Sequence, residues 1–288
     1  MSIDAIWDRT TAWARARFGV LAAVAALTMV LPNLLTGLLQ ALFAANSSGQ
    51  PPMLGGVRLL ESVMMLWGYL IVTALALDPG LSGRGAAQLA ARRLPAALLV
   101  MLLVTVAIGL CLGVLSIAAI LLGAQAGAAS LTMSAGAFAS SVQRMPGSLA
   151  LILLGLAVAL VWVSARLTPL LPVVVAERLG VRTIPRAFSL SRGWGLRLAG
   201  LLVLFSFVAG VAVFAAGGAV GSIAGLFAGA GRLATALLVA FAAGVVSSAL
   251  TVLALGFCAS FTSARARQGR QGTATSVPTT ARHEANGR

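Results

Sequence analysis

The chemistry of this chain starts at Arg166, an ionisable side chain inside an apolar run. A charge at that depth in a bilayer costs about 2.5 kcal/mol or more unless it is paired or reaches the interface. Pro169 and Pro172 follow it, and Glu177 closes the run. Proline supplies no N–H, so the carbonyls of Ala165 and Thr168 lose their helical donors. A guanidinium with five donors could cap them, which would make Arg166 the residue that holds a broken helix end open. The plainer role is an arginine that snorkels to the interface. Glu177 is the obvious charge partner, but eleven residues of helix put the two about 16 Å apart. A direct pair therefore requires the prolines to break that helix. Glu177 also stands beside Arg178, Arg182 and Arg186. It is either a local surface partner, worth about 1 kcal/mol at most, or a tie to Arg92 or Arg93 in another basic loop.

Arg186, Arg192, Trp194 and Arg197 form a basic, aromatic edge further on. Anionic headgroups suit such an edge, at about 1 kcal/mol per basic residue, although any positive-inside loop has the same look. Gly217, Gly221, Gly225 and Gly229 recur every fourth residue. On a helix they make a smooth stripe for close packing within the fold or between protomers; as an apolar loop or re-entrant segment they would not.

Catalytic groupings are missing. The single His, His283, lies in the C-terminal tail, and Lys does not occur. Acid–base pairs, metal-spaced clusters and a phosphate-binding loop are therefore not expected. Cys111 and Cys258 sit singly in apolar runs and read as small lipid-facing or core residues. No cofactor or metal is implied. Glu61, Asp78 and Glu177 fall near span ends, which weakens the case for a proton-driven carrier.

The elements that carry these residues are membrane helices. The chain is 60% apolar and 9% charged, whereas soluble domains are about a quarter charged. The predicted architecture is all-α, a polytopic bundle of six transmembrane helices over residues 18–264. Residues 1–17 read as an amphipathic interfacial helix with Ile3, Ile6, Trp7, Trp13 and Ala14 on its apolar side, anchoring the first span. The first span covers 18–45, with a kink at Pro32-Asn33. The second covers 58–77, where Arg58 and Glu61 can pair, and ends at Asp78-Pro-Gly. A short helix over 84–93 then precedes a third span opened by Pro95. An external loop over 124–147 leads to a fourth span over 148–176. The fifth begins near Leu196 and the sixth ends near Phe261, with 217–231 as helix, loop or re-entrant segment between them. Residues 265–288 read as a disordered tail.

Arginine counts set the topology. Sixteen lie in the N-terminal segment, the loops after spans two and four, and the tail; three lie in the alternate loops. Both termini are thus expected in the cytoplasm, which assigns the net charge of +14 to membrane orientation and not to nucleic acid. An all-arginine basic set fits a GC-rich bacterial coding sequence and the bacterial cytoplasmic (inner) membrane.

The stretch 166–197 resembles the membrane domain that bacteria fuse to glycerophosphoryl diester phosphodiesterases, and its stand-alone six-helix relatives of unknown function. Arg166, Pro172, Glu177, Arg186, Leu190, Arg192, Gly193 and Arg197 match that family's pattern; Ala187, Phe188 and Ser191 depart from it. The resemblance implies a six-helix bundle. It does not imply phosphodiesterase activity, which belongs to a separate soluble domain. The expected function is a non-enzymatic membrane scaffold, accessory or lipid-interacting module. Its expected partners are the bilayer, anionic headgroups on the cytoplasmic side, and a membrane protein or second copy. The alternative is a small transporter or permease built on the broken fourth helix.

Overall fold

The computed structural model describes residues 3–44, 53–121, 195–226 and 232–274, together with 170–177 and scattered positions between 151 and 167. These residues are almost entirely helical, with no strand among them. The helices are α1 (Ile3–Ala16), α2 (Phe18–Ala25), α3 (Leu31–Ala44), α4 (Met53–Leu77), α5 (Gly83–Leu121), α6 (Leu170–Glu177), α7 (Gly195–Leu226) and α8 (Arg232–Ala274). Five stretches are long and apolar enough to cross a membrane: Phe18–Leu39, Gly55–Leu77, Gly83–Leu110, Ala199–Leu226 and Ala234–Ala264. The fold is that of a multi-pass helical membrane protein. The expected fourth span lies partly outside the described residues, as do the 124–147 loop and the tail beyond Ala274.

Helix α4 forms the centre. Leu70, Ile71, Val72, Thr73, Ala74 and Leu75 are all buried, and six consecutive buried positions mean that this turn and a half is enclosed on every side. Ala86, Ala90 and Ala97 of α5 pack on it with Val174 and Val175 of α6. Small residues on α5 let the backbones approach closely, as membrane helices require. Helix α8 closes the other side against α1, α3 and α4, and α7 packs on α8. None of the most apolar stretch of α7 is buried, and Phe207 and Phe214 point outward. In water such a surface would aggregate; in lipid it is solvated.

The first span is irregular below Pro32, not at it. Ala26–Val30 is a π-helical turn in which the Leu31 N–H bonds the Ala26 carbonyl, five residues back. Proline at 32 removes the donor that the Thr28 carbonyl would use in a regular helix, and the extra residue absorbs that mismatch. Thr28 Oγ1 turns back to the Val24 carbonyl at 2.8 Å.

Two other expectations are corrected, and one left open is decided for part of its length. The helix over 84–93 and the third span are one continuous α5, with Pro95 inside it. Ser82 starts it, its Oγ accepting from the Gly85 N–H at 3.2 Å. Ala91 and Pro95 are both exposed, so the carbonyl that proline leaves without a donor lies on the outer side, where the break costs least. Residues 217–226 are helical, the end of α7, which removes the loop and re-entrant alternatives for that part; 227–231 lie outside the described residues. Helix α8 continues past Ala264 to Ala274 where a disordered tail was expected, because the Arg and Gln of this stretch are strong helix formers. The end of α4 at Leu77 agrees with the sequence. Gly80 N–H bonds Asp78 Oδ1 at 2.9 Å and Arg17 Nη1 donates to the Leu81 carbonyl at 2.8 Å.

The amphipathic start is a helix, but its inner side meets protein. Ile6 and Thr10 are buried, Thr10 Oγ1 donating to the Ile6 carbonyl at 2.9 Å and lying 3.3 Å from Ser260 Oγ, whose hydroxyl it can accept. Ile6 packs with Phe257 and Phe261 of α8. Trp7 alone of the two tryptophans stays largely exposed. Thus α1 straps the ends of α4 and α8 as well as anchoring the first span.

Candidate functional site

Arg166 lies in helical backbone four residues after Trp162, with its guanidinium carbon 4.5 Å from the indole centroid. Helical side chains lean toward the N-terminus, so Arg166 reaches back toward Trp162 and away from Glu177. Its Nε is buried and has no hydrogen-bond partner among the described residues. Leu167 packs beside Val100 and Leu170, with Val104. Val100 and Val104 stand about 10 to 16 Å along α5 from Arg93. This is a cation–π arrangement, worth about 2 kcal/mol when desolvated.

The other expected site residues divide. Pro172 is fully buried inside α6, near its start, where a missing N–H costs least. Its neighbours Val173, Val174 and Val175 are buried too, so the proline-containing run is wedged into the core. Glu177 ends α6 and its side chain is outside the description; Pro169, Arg186, Arg192 and Trp194 lie outside the described residues. Arg197 is exposed in the first turn of α7.

Half of the glycine stripe packs. A methyl at Gly217 would sit 3.6 Å from Val239 Cγ1 and one at Gly221 3.4 Å from Val239 Cγ2. Val239 of α8 thus rests across both. Nothing lies within 4 Å of a methyl at Gly225, and Gly229 is outside the described residues.

Two polar features were not read from the sequence. Thr36 Oγ1 donates to Glu61 Oε2 at 2.7 Å, joining α3 to α4. Glu61 and Arg58 form no ion pair among the described contacts, which corrects the pairing expected from their spacing. A carboxyl group facing a neighbouring helix takes the nearest hydroxyl, since the alternative is an unsatisfied polar group. The second feature is an apolar groove of about 400 Å³ between α7 and α8, lined by Phe205, Gly210, Phe214, Ser247, Leu250 and Thr251 among others. Thr251 Oγ1 turns away to the Ser247 carbonyl at 2.8 Å, leaving the groove walls largely apolar. Nothing fills the space where a side chain at Gly210 would be.

Among the described residues no three His, Cys, Asp or Glu side chains cluster to hold a metal ion. Comparison with protein-family models, curated proteins and solved structures finds no match. The fold and these sites define a class, the multi-pass helical membrane protein.

Proposed function

We propose that this chain is a non-enzymatic, lipid-interacting module of the bacterial cytoplasmic membrane, acting as an accessory or scaffold to other membrane components. The observation that carries this reading is the groove between α7 and α8. It is apolar, it has the volume for a stretch of acyl chain, and it belongs to the helix that exposes its apolar side most fully. Within a bilayer an acyl chain gains no burial from water there, and the groove would hold it by van der Waals fit to its walls. Six spans with both termini in the cytoplasm complete the proposal, supported by the arginine asymmetry. The basic edge Arg186, Arg192, Trp194 and Arg197 then faces anionic headgroups on the inner leaflet.

The test is lipid retention. Full-length protein purified in a neutral detergent and weighed by native mass spectrometry retains lipid, and Gly210→Trp, which fills the groove, loses most of it. Equal retention by the folded variant overturns the reading. A permease is the second reading, favoured by the unpartnered Nε of Arg166 in an apolar run that also holds the buried Pro172. It requires solute flux into proteoliposomes that Arg166→Gln abolishes.

A further inference from the structure

We propose that Arg166 and Trp162 form a binding position for an oxyanion, a carboxylate or phosphate group. The indole covers one flat side of the guanidinium at 4.5 Å. A ring so placed neutralises no charge and uses none of the in-plane N–H donors. The buried Nε–H has no acceptor among the described residues. A buried donor of a charged group without an acceptor is a large penalty, and native structures rarely leave one unexplained. Nε–H and the adjacent Nη–H form one edge of the guanidinium fork, a pair of parallel donors matched to the two oxygens of a carboxylate or phosphate.

Burial narrows the ligand. Leu167, next in the chain, packs with Val100 and Val104, and the Nε of Arg166 is itself buried, so an anion that pairs with it must shed part of its water. A guanidinium is more weakly hydrated than an ammonium and suits that exchange better than lysine. The oxyanion comes either on an amphiphile, as a fatty-acid carboxylate or lipid phosphodiester, or as a free solute. The amphiphile case extends the lipid-interacting reading but does not use the α7–α8 groove.

The experiment titrates full-length protein in neutral detergent with four probes: oleate, dioleoylphosphatidylglycerol, inorganic phosphate and, as a zwitterionic control, dioleoylphosphatidylcholine. Melting temperature and tryptophan fluorescence are the readouts. Saturable stabilisation by at least one anionic probe, about tenfold or more tighter than the control, is expected, as is loss of that preference in Arg166→Gln. Saturation by phosphate identifies a free anion; saturation by oleate or phosphatidylglycerol alone identifies an amphiphile. Arg166→Lys keeps the charge but loses the donor edge, and weaker binding is expected. It decides the matter if the glutamine variant does not fold. The proposal is overturned if no anionic probe saturates the wild type, or if the folded variants bind as it does. Gly210→Trp keeps this anion preference, so its failure and that of the groove reading separate.

Discussion

Trp13 donates its indole N–H to the carbonyl of Leu75 at 3.2 Å, from the amphipathic start of the chain to the end of α4. The same ring rests on Gly256 of α8, where a methyl would fall 2.7 Å from Trp13 Cζ3. One side chain thus ties three helices. Gly256→Val should cost about 1 to 3 kcal/mol through overpacking and free α1 to protease. Trp13→Phe keeps a ring and loses the bond, at about 1 kcal/mol. Thermal melting in detergent, with limited proteolysis of residues 3–16, checks both. An α1 equally protected in Gly256→Val contradicts the strap.

A second close approach joins the π-turn to α4. A methyl at Gly68 would lie 2.7 Å from Thr28 Cβ. Gly68→Ala should destabilise by about 1 to 3 kcal/mol. Thr28→Ala removes the hydroxyl and part of the crowding, so a double-mutant cycle should show coupling of about 0.5 kcal/mol or more. Additive losses would show that the two residues do not touch.

The Thr36–Glu61 bond is a third link between the first two spans. Hydrogen bonds between membrane helices average about 0.6 kcal/mol, and a partner left unsatisfied adds about 1 kcal/mol or more. Thr36→Val should therefore cost about 1 kcal/mol, and Glu61→Gln, which keeps an acceptor oxygen, less. Denaturant titration of the two single variants and the double variant gives the coupling directly.

The glycines of α7 should not respond alike. Gly221→Leu drives a side chain into Val239 and should cost about 1 to 3 kcal/mol. Gly225→Leu meets open space and should leave melting within about 0.5 kcal/mol of wild type. If Gly225→Leu is instead the more damaging, the stripe packs against something other than α8, such as a second copy, and cross-linking would reveal it.

The membrane class of this protein was legible in its residues one by one. Apolar runs of spanning length and a charge content far below that of a soluble surface leave a bilayer as the only medium that solvates the chain. Element positions followed from punctuation: Asp78-Pro-Gly for the end of α4, and the periodicity of Ile6 and Trp13 for α1. Arg166 was singled out by charge against apolar neighbours, a contrast visible without coordinates. What surrounded each side chain was not visible. Trp162 beneath Arg166, Thr36 opposite Glu61, and Gly256 under Trp13 are pairings between helix sides, and a span apolar all round carries no periodic signal of which side faces protein. Pro95 misled for a related reason: proline marks a lost donor, and only the fold decides whether that loss ends a helix or is left on its outer side. Rotation and neighbour choice among apolar helices are set by small residues and van der Waals fit, so they belong to the tertiary structure.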